Sequence, residues 1–229
     1  MNPQHDVQQS PQPSPHEGPH ESPQPSPQAG PHRGRQEDPT AQLEEALELA
    51  GRLVSGVKPD QWELPTPCTE WNVRQLVDHL VLGQQLFARV LRGEPFEQAF
   101  AAVRSVDDRL GDDPAGAYDV SAREVLAAFT APGVLEQLVR VPFGTVPGAV
   151  AGHLRIIECL VHGWDLAIAL GVPFDPPAGL VEQEIAFSGP LLGQVPPGRH
   201  VFAPSRAIGD EAPPIERLAA LLGRGPAGV

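Results

Sequence analysis

Arg155-Ile156-Ile157-Glu158-Cys159-Leu160-Val161-His162-Gly163-Trp164-Asp165-Leu166 reads as one helix in which apolar and chargeable residues interleave. Glu158 and His162 stand at i and i+4, so their side chains share a face one turn apart. At about 100° per residue, with Glu158 at zero, His162 falls near +40°, Asp165 near −20° and Arg155 near +60°. Four polar, chargeable groups thus occupy one narrow stripe, while Leu154, Ile157, Val161 and Leu166 supply apolar neighbours. Two readings of this stripe compete. It is a solvent-facing ladder of ion pairs, or it is a buried cluster whose charges satisfy one another or a cation.

His79 weighs on that choice. It lies within NVRQLVDHLVLGQQLFARVL (72–91), where Val73, Leu76, Val77, Leu80, Phe87 and Val90/Leu91 form a helical apolar stripe. A lone histidine there is either a satisfied core residue or a ligand facing the Glu158 helix. In the second case, two imidazoles and a carboxylate from two helices make a three-ligand divalent-metal site, with a coordination position left for water or substrate. His79, Glu158 and His162 are the candidate metal ligands. By the same angular argument His153 points away from them, Trp164 is a packing residue, and Cys159 is buried and inert. Cys68, beside Pro67 in the loop before the His79 helix, has no evident partner base and reads as structural.

Around these two segments the chain reads as helices with short extended pieces. Pro39-Thr40 opens the first, with Thr40 as N-cap, and Lys58-Pro59 stops it. After the loop WELPTPCTEW (62–71), Asn72 caps the second, with Gln75 three residues on as a capping box. A weaker helix covers Phe96–Arg104. Past an acidic loop, Ser121 and Glu124 suggest a second capping box for a helix over Ser121–Thr130. LVRVPFGTVPGAVAG (138–152) suggests a hairpin or extended loop. The Glu158 helix runs from about Ala151 to Leu170 and stops at Gly171-Val172-Pro173. Further helices follow over Ala178–Leu192 and, after a short extended piece, Pro214–Leu222. The fold class is therefore all-α, a helical bundle.

Residues 1–39 stand apart from the bundle at 40–229. They hold ten prolines and almost no aliphatic side chains, and SPQPSPHEGPHE (10–21) recurs as SPQPSPQAGPHR (22–33) with nine of twelve positions matching. Such a segment cannot bury enough apolar surface to offset its ordering entropy, so it reads as a disordered, polyproline-like tail. The formal charge of −13, without any basic run, argues against a nucleic-acid surface. No apolar stretch has the length of a membrane span, and the N-terminus has no signal-peptide core. Two cysteines make no disulfide framework. A cytoplasmic protein is the simplest expectation. Bundles of this kind often form homodimers, but no exposed apolar stripe here is long enough to assign one.

PTPCTEWNVRQLVDHL (65–80), ECLVHGWDLAIALG (158–171) and APPIERLAALLGR (212–224), in that order, resemble the mycothiol-dependent maleylpyruvate isomerase-like proteins of the DinB superfamily, over about residues 41–225. The resemblance implies an up-down-down-up four-helix bundle. It implies a divalent metal, usually zinc, with nickel or iron as alternatives, on the positions of His79, Glu158 and His162. It also implies a small thiol such as mycothiol, activated on the metal to attack a small electrophilic substrate. Arg155 is the candidate to hold a substrate carboxylate or the thiol cofactor. Asp165 is the candidate to orient His162, although its reach to the distal ring nitrogen looks awkward. The isomerase carries a further C-terminal domain for which the residues after Leu192 are too few, so a thiol-dependent transferase or isomerase of another substrate is the expectation. The alternatives are a metal-dependent hydrolase, with Asp165 as the nearest base, and a non-catalytic metal-binding bundle. A two-histidine, one-carboxylate set also suits non-haem iron oxygenases, but their usual β-barrel setting does not match this helical pattern.

Overall fold

The computed structural model describes residues 39–142, 144–193 and 203–225. The tail expected before Pro39 lies outside the described residues. Seven helices and one hairpin follow in the order α1 (Pro39–Ser55), α2 (Val73–Leu91), α3 (Phe96–Arg104), α4 (Pro114–Phe129), β1 (Leu138–Val141), β2 (Gly144–Pro147), α5 (Gly148–Leu170), α6 (Ala178–Gly193) and α7 (Pro214–Leu221). The all-α class with short extended segments is as the sequence implies.

Four helices close the bundle: α1 packs on α4 and α5, and α2 packs on the same two. Each contributes an apolar stripe, from Leu43, Ala46, Leu47 and Ala50 on α1 to Val125 and Phe129 on α4. The exception is α5. Nearly every side chain from Ala151 to Ala167 is buried, because α1, α2, α6, α7 and the hairpin surround it. A helix enclosed in this way has little solvent face on which to place charge. Arg155, His162 and Asp165 are buried, so the stripe is not solvent-facing. Glycine at 171, with φ 66°, takes the left-handed position that ends α5.

The Asn72 capping box forms as expected: the side chain accepts from the Gln75 N–H, and the Gln75 side chain accepts from the Asn72 N–H. The one expected at Ser121 does not form. Helix α4 starts earlier, at Pro114, where Asp113 accepts from Gly116 N–H at 2.9 Å. Asp followed by Pro at the first helical position is a stronger start, and it leaves Ser121 inside the helix. Buried there, Ser121 donates to Gln84 of α2. Thr40 is likewise within α1, which already includes Pro39, so it is not the N-cap. The hairpin pairs antiparallel with Val139 opposite Val146. The extended piece expected before α7 forms no strand over 203–213.

One wall is built separately. Leu86 and Val90 of α2 with Ala99 and Val103 of α3 form a small apolar cluster distinct from the main core. Arg109 ties the following loop back to α2 through Asp78 and to α3 through the Val103 carbonyl.

Replacing Asn72 with Ala leaves an N-terminal N–H of α2 without its acceptor. The expected cost is about 1 kcal/mol, read as a lower urea midpoint at unchanged m.

Candidate metal centre

Helix α2 presents His79 across from Glu158 and His162 of α5. His79 Nε2 lies 2.8 Å from Glu158 Oε2, and His162 Nε2 lies 3.5 Å from the same oxygen. All three ligand atoms fall within 4.8 Å of one another. Bond lengths of about 2.0–2.1 Å in a tetrahedral zinc site put neighbouring donor atoms about 3.3–3.4 Å apart; the His162–Glu158 pair is near that spacing, and the His79–Glu158 pair would open by about half an ångström. Trp71 stacks on the His79 ring at 4.3 Å between centroids and lies tilted against His162 at 5.7 Å. The Trp71 loop is pinned by Thr66, whose hydroxyl donates to the Cys68 and Trp71 carbonyls.

The electrostatics are those of a buried, mutually satisfied cluster. Burial pushes the Glu158 carboxyl up, but hydrogen bonds from His162 and His79 overcome it and hold the group well below the ordinary range. Burial pulls His162 down, while Asp165 and Glu158 outweigh it and leave the imidazole above its usual value. At His79 burial wins over Glu158, and the imidazole titrates lower than usual.

Asp165 meets His162 at Nδ1, the nearer ring nitrogen, with Oδ2 at 3.0 Å. The reach expected to be awkward is thus avoided. Asp165 is sealed from solvent, and its Oδ2 also accepts from Arg224 Nε at 3.3 Å. Cys68 is not isolated either: Arg224 Nη2 lies 3.5 Å from its sulfur. Cys159 is buried and its thiol is pushed up to about 11, chiefly by burial, which matches an inert packing residue. His153 points away from the cluster and pairs with buried Glu184 of α6 at 2.8 Å.

Beside the cluster lies a cavity of about 770 Å³ between α2, α3 and α5, bordered by His79 and Glu158. Arg155 lines it too. Arg155 is 3% exposed, yet its Nε and Nη2 have no hydrogen-bond partner. It sits 5.1 Å from the Phe87 ring centroid and against Gly83, where a Cβ would fall 2.5 Å from Nη1. Ser188 of α6 also borders the cavity with an unpaired hydroxyl. The structure therefore brings His79, Glu158, His162 and Asp165 into one network and Arg155 into the adjoining cavity. Trp71, Ser188 and Arg224 were not anticipated. Trp71 had a local signal, an aromatic directly before the cap of the His79 helix; the other two had none.

A helical bundle with a histidine–carboxylate–histidine cluster on facing helices defines the class. Residues 43–167 match the family described as mycothiol maleylpyruvate isomerase N-terminal domain. The chain belongs to this family. It is 32% identical over 189 residues to the uncharacterized protein Rv0738 of Mycobacterium tuberculosis, covering 82% of this chain and 98% of that one. A second uncharacterized protein of that organism, Rv0036c, is 28% identical over 138 residues, 52% of this chain and 51% of the other. Among solved structures, a histidine-to-alanine mutant of mycothiol-dependent maleylpyruvate isomerase superposes with a TM-score of 0.50 at 14% identity, over 63% of this chain. That likeness shows the shared DinB-like helical fold, and the chain spans 65% of the isomerase's length. No helix among the described residues is long and apolar enough to cross a membrane.

The charge directions set a pH window. The depressed Glu158 adds stability above its unfolded value of about 4.3 and loses it as pH falls through its folded value. The raised His162 adds stability below its unfolded value of about 6.5 and loses it as pH rises through its folded value. In chelator, the melting-temperature gap between the wild type and Glu158→Gln should peak between about pH 4 and 6.5 and narrow on both sides.

Proposed function

We propose that this protein is a divalent-metal-dependent transferase or isomerase that uses mycothiol or a related small thiol against a small electrophile, with zinc the metal best suited to its donors. The observation that carries the reading is a two-imidazole, one-carboxylate set of which His79 and Glu158 border a cavity large enough for a cofactor and a substrate together. Family membership supports the thiol, since the neighbouring solved enzyme is itself mycothiol-dependent.

His79, Glu158 and His162 would hold the metal. A divalent cation there would lower the pKa of a coordinated thiol and keep it as the nucleophilic thiolate. The protein's own residues do the rest. Asp165 accepts from His162 Nδ1 and fixes the ring so that Nε2 faces Glu158. Trp71 covers the outer face of His79 and limits how that ring can turn. Arg155 borders the cavity, its Nε and Nη2 have no partner in the protein, and it would hold a carboxylate of the electrophile or an acceptor of the thiol cofactor.

The hydrolase alternative is weaker. It needs a base beside the open position, and Asp165 is enclosed behind His162 with its carboxylate engaged by Arg224. A purely structural metal would not account for a cavity with an unpaired buried guanidinium at its wall. Two free cysteines are consistent with a reducing, cytoplasmic setting.

His79→Ala and His162→Ala should each abolish stoichiometric zinc by elemental analysis; full retention in either would remove the ligand assignment. Zinc binding should weaken below about pH 6, where the imidazoles hold protons, and a flat profile between pH 5 and 8 would contradict imidazole ligation. Gly83→Ala places a methyl where the Arg155 guanidinium lies. Like Arg155→Gln, it should raise KM for an anionic electrophile roughly tenfold or more while leaving bound zinc unchanged. Titration of the zinc-loaded protein with mycothiol should saturate at one equivalent.

A further inference from the structure

Cys68, His162 and Asp165 form a second cluster whose ligand atoms lie within 4.8 Å of one another. This cluster already has its cation. Arg224 Nε donates to Asp165 Oδ2 at 3.3 Å, and Arg224 Nη2 approaches Cys68 Sγ at 3.5 Å. The same Asp165 oxygen receives His162 Nδ1 at 3.0 Å. Side-chain exposure is 11% for Arg224, 4% for His162 and zero for Asp165.

The end of α7 is shaped to deliver this side chain. Gly223 turns the chain at φ 82°, and a Cβ there would lie 2.5 Å from the Ala203 carbonyl oxygen. Arg224 N–H then donates to the Ala219 carbonyl at 2.8 Å, and Arg206 Nε donates to the Gly223 carbonyl at 3.1 Å. The turn is thus fixed on both sides of the arginine, which enters the bundle and not the solvent.

We propose that Arg224 is a positioning residue for the His79–Glu158–His162 cluster, acting through Asp165. The inference rests on the ligand assignment above and extends it to the C-terminal helix. Asp165 Oδ2 meets His162 Nδ1, so when Nε2 binds a metal the proton left on the ring sits on Nδ1 and faces an acceptor. A neutral, metal-ligating His162 supplies no positive charge to a carboxylate sealed from water. Among the described residues Arg224 is then the cation that compensates it. Through Cys68 the same guanidinium meets the loop that carries Trp71 onto His79, so one side chain steadies both histidines.

The test compares wild type, Arg224→Gln, Arg224→Lys, Asp165→Asn and the Asp165→Asn/Arg224→Gln double variant, each as the full chain. Zinc affinity is read by chelator competition, and the His162 Nδ1–H resonance by nitrogen-15 NMR of the zinc-loaded protein. Arg224→Gln should weaken zinc about 10–100-fold and shift that resonance. Arg224→Lys should restore much of the affinity, and the double variant should be no weaker than the worse single one. Unchanged zinc affinity and resonance in Arg224→Gln would overturn the inference. So would additive losses with no rescue by lysine, which would mark Arg224 as a packing residue of α7. A wild type that binds no zinc would instead overturn the ligand assignment, and the inference with it.

Discussion

A carboxylate buried where α2 and α5 face each other governs this molecule. Glu158 sits on a largely enclosed helix with its side chain only 15% exposed, so most of its charge must be met from within the fold. His79 and His162 do so in the absence of a cation, and a cation would do so in their place. Either way, the group on α5 requires its partner on α2 to be at one position and in one orientation. Stacking by Trp71 and the cap at Asn72, both about two turns ahead of His79, read as local means to that end.

What could be read from the chain alone followed how local each signal is. The Asn72–Gln75 cap, the extent of α3 and the Gly171 stop depend on neighbours within a turn, and they appear in the structure as expected. The same kind of local pattern misled at Ser121. A stronger start seven residues earlier took over, and the serine was drawn into a tertiary bond with Gln84. Helical spacing put Arg155, Glu158, His162 and Asp165 on one stripe but could not say which way it faced, because that depends on how many other elements enclose α5. Arg224 lies 59 residues from Asp165 and 156 from Cys68, and nothing in a run of residues marks a contact at that range.

Burial gives Arg155 and Asp165 opposite characters although they are less than three turns apart on one helix. Asp165 has Oδ2 met by both His162 and Arg224, although Oδ1 is without a partner, so it serves the geometry of its neighbour. Arg155 has a flat aromatic ring below it and glycine beside it, but no hydrogen bond on Nε or Nη2. A guanidinium held in place by packing and left without acceptors is prepared for a ligand that brings its own.

The apolar cluster under α3 has a consequence for how this scaffold can diversify. Leu86, Val90, Ala99 and Val103 are separate from the core that holds the four bundle helices, yet α3 and the loop after it form one side of the cavity. Substitutions at Phe100, Arg104 or Val106 alter the shape and charge of that side without disturbing the packing between α1, α2, α4 and α5. Ligand preference and fold stability are therefore separable in this architecture: descendants of one bundle can exchange substrates by redrawing a single wall while the metal-facing helices stay as they are.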